Sequence, residues 1–381
     1  MRISLALILL FVGLYWTPSA HAQLSTEDHL AGPGFWPTQK ISSRVEYSGP
    51  GACASCHSAI AAAQATTPMR NAALHAGESG ILRDHPKLKF SVTQYKYELN
   101  TDGRQTRYTL TDGERTLDAV LLWAFGIGRV AQSYLFKKDD GSFYEARVTF
   151  FAPSNNLEFT PGRALPSPKS AEEAMYRRVG AAEVARCFGC HTSGSMAGNE
   201  LDEKYLTPGL TCEACHGPGA KHVAAMQAAK ALGLVDTAGT IFNSATLKPA
   251  DSVDFCGACH GTWWDVKLSG VRGPSSARSQ PYRLELSKCW GKGDARLTCI
   301  ACHDPHQPLE TDAAAYDAAC LQCHLSSPSV KKTADHPGAA CPVNTKNCVS
   351  CHMPKVYVPD MHANFTDHEI RIARAGETYP E

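Results

Sequence analysis

The 381-residue chain lacks any surplus of charge, carrying 37 basic residues against 37 acidic ones. A balanced composition offers no basic face for nucleic acid and no acidic tail, so neither partner is expected. Beyond its first residues the chain has no apolar run long enough to cross a bilayer, which excludes an integral membrane span in the body of the protein. Gly126-Ile127-Gly128 is too short and wrongly placed for a dinucleotide loop and is expected to be a tight turn.

What the chain has in abundance is cysteine followed by histidine. Cys299-Ile300-Ala301-Cys302-His303 is one of seven copies of a single pattern, two cysteines three apart with histidine next in line. The others are Cys53, Cys56 and His57; Cys187, Cys190 and His191; Cys212, Cys215 and His216; Cys256, Cys259 and His260; Cys320, Cys323 and His324; and Cys348, Cys351 and His352. This spacing sets two sulfurs beside the two vinyl groups of a haem, and the adjoining histidine can coordinate its iron. One CxxC pair would equally suit a zinc knuckle or a thioredoxin-like redox pair. Seven copies, each with histidine fixed next, point to seven covalently bound haem c groups. Intervals of 25, 44, 43, 21 and 28 residues between motif starts from Cys187 onward are irregular, so a compact haem cluster is expected rather than a solenoid.

The first 22 residues read as a secretory signal peptide: Met1-Arg2, an apolar run from Ile3 to Trp16, and Ala20-His21-Ala22 as cleavage site. A secreted protein starting near Gln23, periplasmic or extracellular, is expected. Fourteen of the sixteen cysteines belong to the motifs. The remaining two, Cys289 and Cys341, are expected to pair in an oxidising compartment. Cys289-Trp290-Gly291-Lys292 lacks a second cysteine, so an eighth haem is not expected.

Residues 23–88 read as an N-terminal arm with the first haem segment, including a helix over Ser58 to Gln64 ended by Pro68. Alternating apolar residues and Asp-Gly turns between 89 and 160 predict a small antiparallel β subdomain, with strands over Phe90 to Leu99, Gln105 to Leu110, Leu117 to Phe125, Ser133 to Phe136 and Phe143 to Phe151. Ser170 to Glu173 forms a capping box that should start a helix running towards Cys187. Residues 170–360 then form the haem-rich region with six motifs, and 361–381 a tail. The fold class is therefore mainly α, with stacked haems and a small β subdomain. So little room is left for an apolar core that the apoprotein is not expected to fold.

The group opposite each motif histidine separates a carrier from a catalyst. Outside the motifs and signal peptide stand eight histidines, His29, His75, His85, His222, His306, His336, His362 and His368. His222 lies on an expected helix over Lys221 to Leu232, on the face of Ala225, Met226 and Ala229. His306 follows His303 by one helical turn and so would serve a neighbouring haem. His336 and His362 are also candidate ligands, whereas His368 could instead cap or hydrogen-bond Asp367 or Glu369. For the first haem, Met69, His75 and His85 compete. Arg70, Arg129 and Arg147 could pair with propionates.

Cys212-Glu213-Ala214-Cys215-His216-Gly217-Pro218-Gly219 with His222, Cys302-His303-Asp304-Pro305-His306, and Cys348 to Pro354 followed by Phe365-Thr366-Asp367-His368 resemble secreted multihaem c-type cytochromes. Those are the relatives of cytochrome c-554 and, more distantly, of hydroxylamine oxidoreductase and the pentahaem nitrite reductases. Thr67-Pro68-Met69 extends the likeness loosely. The resemblance implies a mainly helical fold around stacked haems, mostly bis-histidine irons, and electron transfer outside the cytoplasm with redox partners such as other cytochromes or quinol-linked oxidoreductases. It also implies no matched catalytic residue: neither a lysine-ligated haem motif nor a haem-modifying tyrosine is found. The reading leans towards a carrier, with oxidoreduction of a small nitrogen or sulfur compound at one five-coordinate haem as the alternative.

Overall fold

The computed structural model describes residues 44–165, 167–198, 200–233, 239–290, 297–324, 341, 343–374 and 376–380. The signal-peptide segment, His29 and His336 lie outside the described residues.

β structure reaches well beyond the expected subdomain. β1 (Ala73–His75) opens it, and β2 (Lys87–Val92), β3 (Tyr95–Thr101), β4 (Thr106–Thr111) and β5 (Thr116–Val120) form a four-stranded antiparallel meander. β6 (Trp123–Phe125), β7 (Ala131–Lys137), β8 (Phe143–Ala146), β9 (Val148–Phe151), β10 (Asn156–Phe159) and β11 (Tyr176–Arg178) join β1 in a seven-stranded sheet. The expected strand from Phe90 to Leu99 is a hairpin, because Thr93 turns the chain in the left-handed region at φ 52°. The run from Phe143 to Phe151 is broken at Arg147, so β7 pairs with β8 along one half and with β9 along the other.

Between the two sheets lies an ordinary apolar core, outside the region of closely spaced motifs. Tyr97, Leu99, Tyr108, Leu110, Tyr134, Phe136, Phe150 and Leu157 are buried there. Each such side chain contributes about 1.5–3 kcal/mol of burial free energy. The period-2 burial of β3 and β4 sends alternate residues into this core. Tyr97 and Tyr108 reach through it to donate hydrogen bonds to the carbonyls of Ala174 and Met175.

Ser170 caps the helix Ala171–Met175 by accepting from the Glu173 N–H, but that helix does not run on to Cys187. Tyr176 turns extended, β11 closes the sheet against β8, and a new helix starts at Ala181 and ends at His191. Ion pairs of Arg163 and Arg177 with Glu145 and Glu183 cover this junction. The helix Ala220–Leu232 ends where Gly233 adopts the left-handed conformation, as its sequence implied. From Ala181 onward, helices and short 3-10 turns dominate, so the mainly α description fits that half and not the chain as a whole.

Candidate haem centres

Each motif forms about one turn of helix. In the first, the His57 N–H donates to the Cys53 carbonyl at 2.9 Å, and His303 does the same to Cys299 at 2.9 Å. Residues three and four apart share a helix face, so both cysteines and the histidine project to one side. The helices Pro50–Ala54, Ser58–Gln64 and Cys348–His352 bury no side chain against protein, in contrast to the β core.

Three motif histidines face a second imidazole. His57 and His222 are stacked with ring centroids 6.5 Å apart and planes 19° from parallel. His216 and His306 lie 6.0 Å apart and 4° from parallel, and His303 and His368 lie 6.2 Å apart at 38°. An iron held between two imidazoles by bonds of about 2 Å places the ring centroids about 6 Å apart. Direct ring stacking would bring them closer. The spacing therefore fits a metal between the rings.

Hydrogen bonds orient these rings. The Nδ1 atoms of His191, His216, His352 and His368 lie 2.9–3.0 Å from the carbonyls of Ala72, Phe242, Arg371 and Thr366. Nδ1 of His222 lies 3.0 Å from Thr240 Oγ1. With Nδ1 donating, Nε2 keeps its lone pair for a metal. Burial lowers the pKa of His191, His260 and His303, and takes His368 down to about 4, favouring the neutral ligand form.

Of the remaining candidates, His75 stacks on Trp123 at 4.2 Å, and the His85 ring lies 5.1 Å from Phe150. The position opposite His57, for which Met69, His75 and His85 were expected to compete, holds His222. The Met69 backbone carbonyl accepts from the Leu210 N–H at 3.0 Å and the Ala72 N–H at 3.2 Å. Nε2 of His362 lies 3.1 Å from a Glu158 carboxylate oxygen, with Phe151 edge-on to its ring. His368 caps nothing and faces His303 instead. Arg70 donates to the Pro208 carbonyl and Arg147 to the carbonyls of Glu173 and Arg163, which commits both to protein; Arg129 is exposed. Arg371, which sequence reasoning missed, has its carbonyl 2.9 Å from Nδ1 of His352 and pairs with protein carboxylates: Nη2 lies 3.6 Å from Asp367 and Nε 3.8 Å from Glu369, while Nη1 is buried without a hydrogen-bond partner.

No disulfide joins Cys289 to Cys341, which corrects the expected pairing. The Cys341 sulfur accepts from the backbone N–H groups of Asn344 and Val343, its own turn, which lowers its pKa. Burial raises the motif thiols of Cys53 and Cys187 to about 11 and that of Cys215 to about 12. Among the described residues no three His, Cys, Asp or Glu side chains gather as a ligand set for a bare ion.

The motifs are clustered. Cys53 neighbours Cys212, Cys190 neighbours Cys259, Cys256 neighbours Cys299, and Cys320 neighbours Cys348. Cys215 lies beside Cys256 and Cys259, and Cys302 beside Cys320. Two buried carboxylates clamp motif to motif. Glu213, a spacer residue of the third motif, accepts from the N–H groups of Ser48 and Gly49 at 2.8 Å, at the start of the first motif helix, and from Gly219 at 2.9 Å. Asp317 accepts from Asn347 at 2.7 Å and Cys348 at 2.8 Å. Close approach of the 208–211 segment to Arg70 requires glycine at 209, where a Cβ would lie 1.7 Å from the Arg70 carbonyl oxygen.

Residues 162–217, spanning the second and third motifs, match the family described as cytochrome c554 and c-prime. That match supports covalently bound haem c at the second and third motifs. No curated protein matches the chain. A solved structure similar to this chain is the crystal structure of outer cell wall cytochrome OcwA, at 15% identity and a TM-score of 0.47, with 86% of this chain and 80% of that one covered. The paired imidazoles fit covalently held haem c, and no helix among the described residues is long and apolar enough to cross a membrane.

Proposed function

We propose that the chain is a multihaem c-type cytochrome that binds seven haem c groups through its motifs and passes single electrons along them between redox partners outside the cytoplasm. The observation that carries this reading is the set of facing imidazoles, His57 with His222, His216 with His306, and His303 with His368. Bound haem supplies a one-electron ferric/ferrous couple, whose potential responds to axial ligands, burial and hydrogen bonds. The chain's own residues hold two strong ligands in place, so neither has to move when the charge on the metal changes. Neighbouring motifs trace a continuous route from Cys53 through Cys212, Cys256, Cys299 and Cys320 to Cys348, with Cys187 branching at Cys256. Redox partners of this proposal are other cytochromes or quinol-linked oxidoreductases, and export follows from the reading of residues 1–22.

The alternative, oxidoreduction of a small nitrogen or sulfur compound at an open iron, draws support from the Glu158 carboxylate oxygen 3.1 Å from His362 Nε2, which competes with a metal for that nitrogen. Low-temperature electron paramagnetic resonance of the oxidised, fully loaded protein separates the two. Low-spin signals alone are expected for the carrier. A high-spin ferric signal near one haem per chain would favour the oxidoreductase, to be assayed with nitrite and hydroxylamine.

A further inference from the structure

His368 lies in the segment after the last motif, and its Nδ1 lies 3.0 Å from the carbonyl of Thr366, a local bond that orients the ring and leaves open what places this stretch of backbone. The hairpin of Lys355–Val358 with Ala363–Thr366 brings the chain back, and the Asp367 N–H then donates to the Pro354 carbonyl at 2.9 Å. Asp367 is fully buried, and so is Arg283, which reaches it from the helix Gln280–Glu285. Nε of Arg283 donates to Asp367 Oδ1 at 2.8 Å and Nη2 to Oδ2 at 3.0 Å, the two-point fork that fixes orientation as well as distance. Nη2 also donates to Glu369, the residue on the other side of His368.

The rest of the guanidinium is committed. Nη1 donates to the Pro380 carbonyl at 3.0 Å, and the Tyr379 ring lies 4.6 Å from its carbon. Ser287, just past the same helix, accepts from the Ile370 N–H at 2.8 Å and donates to the His368 carbonyl at 3.4 Å. Four consecutive residues around the imidazole are thus held from one neighbouring element. Such a cluster is a poor way to gain stability, since a buried ion pair seldom outweighs its own desolvation. It is an effective way to specify one position for the chain.

We propose that Arg283 is a positioning residue for His368: by gripping Asp367 and Glu369 it fixes the backbone on both sides of the imidazole and holds Nε2 towards His303. The proposal rests on the reading of His303 and His368 as the two axial ligands of one iron. Arg283 itself touches neither ring.

The test uses the haem-loaded protein, with electron paramagnetic resonance of the oxidised state, haem content and circular dichroism as readouts. His368→Ala first identifies the low-spin component that depends on this ligand. Arg283→Met, and the double variant Arg283→Met with Asp367→Asn that strands no buried charge, are then compared with it. Loss of most of that one component in the double variant, with haem content and the other components kept, is the expected result. Retention of the His368 component at wild-type intensity in both variants overturns the positioning role, as does an equal decline of every component in the double variant. An unchanged spectrum in His368→Ala instead overturns the ligand assignment beneath it.

Discussion

Glu213 is the sharpest test of how the first motif is held. Its carboxylate is 3% exposed and accepts three backbone N–H groups, from Ser48, Gly49 and Gly219. Hydrogen bonds to a charged acceptor contribute about 1.5–3 kcal/mol each, and neighbours sharing one acceptor are not additive, so Glu213→Ala should lose about 3–5 kcal/mol of local stability. The start of the first motif helix then opens more often. At 1.36 kcal/mol per decade, amide exchange at Ser48 and Gly49 should accelerate roughly 100-fold to several thousand-fold. Hydrogen exchange with mass spectrometry on the haem-loaded protein reads this directly. Peptides covering residues 58–71 report separately, because Gln64 and Met69 have their own bonds to Leu210. Unchanged exchange at Ser48 and Gly49, at equal haem content, would refute the clamp.

Two further outcomes follow from the structure. Burial, with the Asp254 charge adding to it, raises the Glu285 carboxyl from 4.5 to about 7. Between these values the folded state binds more protons than the unfolded state, so stability should fall as pH rises through that window; Glu285→Gln should remove the fall and stabilise the protein above pH 7 by up to about 3 kcal/mol. Denaturant unfolding at pH 5 and pH 8 checks this, and an equal variant-to-wild-type difference at both would count against it. Because the core around Tyr97, Tyr108 and Phe150 owes nothing to porphyrin, the β unit should keep its structure in protein made without haem. Exchange protection confined to β2 to β9 is expected, and its absence would show that this core depends on the rest of the chain.

Much of the local structure was legible because its signals are local. The helix Ser58–Gln64, the cap at Ser170 and the stop at Gly233 depend on residues within a turn of one another. The Thr93 turn and the break at Arg147 were not legible. Thr93-Gln94 carries no glycine, and Arg147 is bent by partners that arrive from elsewhere, the carbonyls of Glu173 and Arg163. Additional strands at β1, β10 and β11 are short and gain their order from the edges they meet.

Motif chemistry was written in the sequence by itself: two cysteines and a histidine within one helical turn fix which atoms can meet a single haem, whatever the remainder of the chain does. Which second imidazole faces which motif was decided only by tertiary structure. His362 and His368 are six residues apart, and the sequence favoured His362 as a ligand, yet His362 is bound by Glu158 from the β unit and His368 is turned to His303 beside the buried pair Arg283 and Asp367. Those partners lie far away along the chain, so only packing could choose between the two histidines.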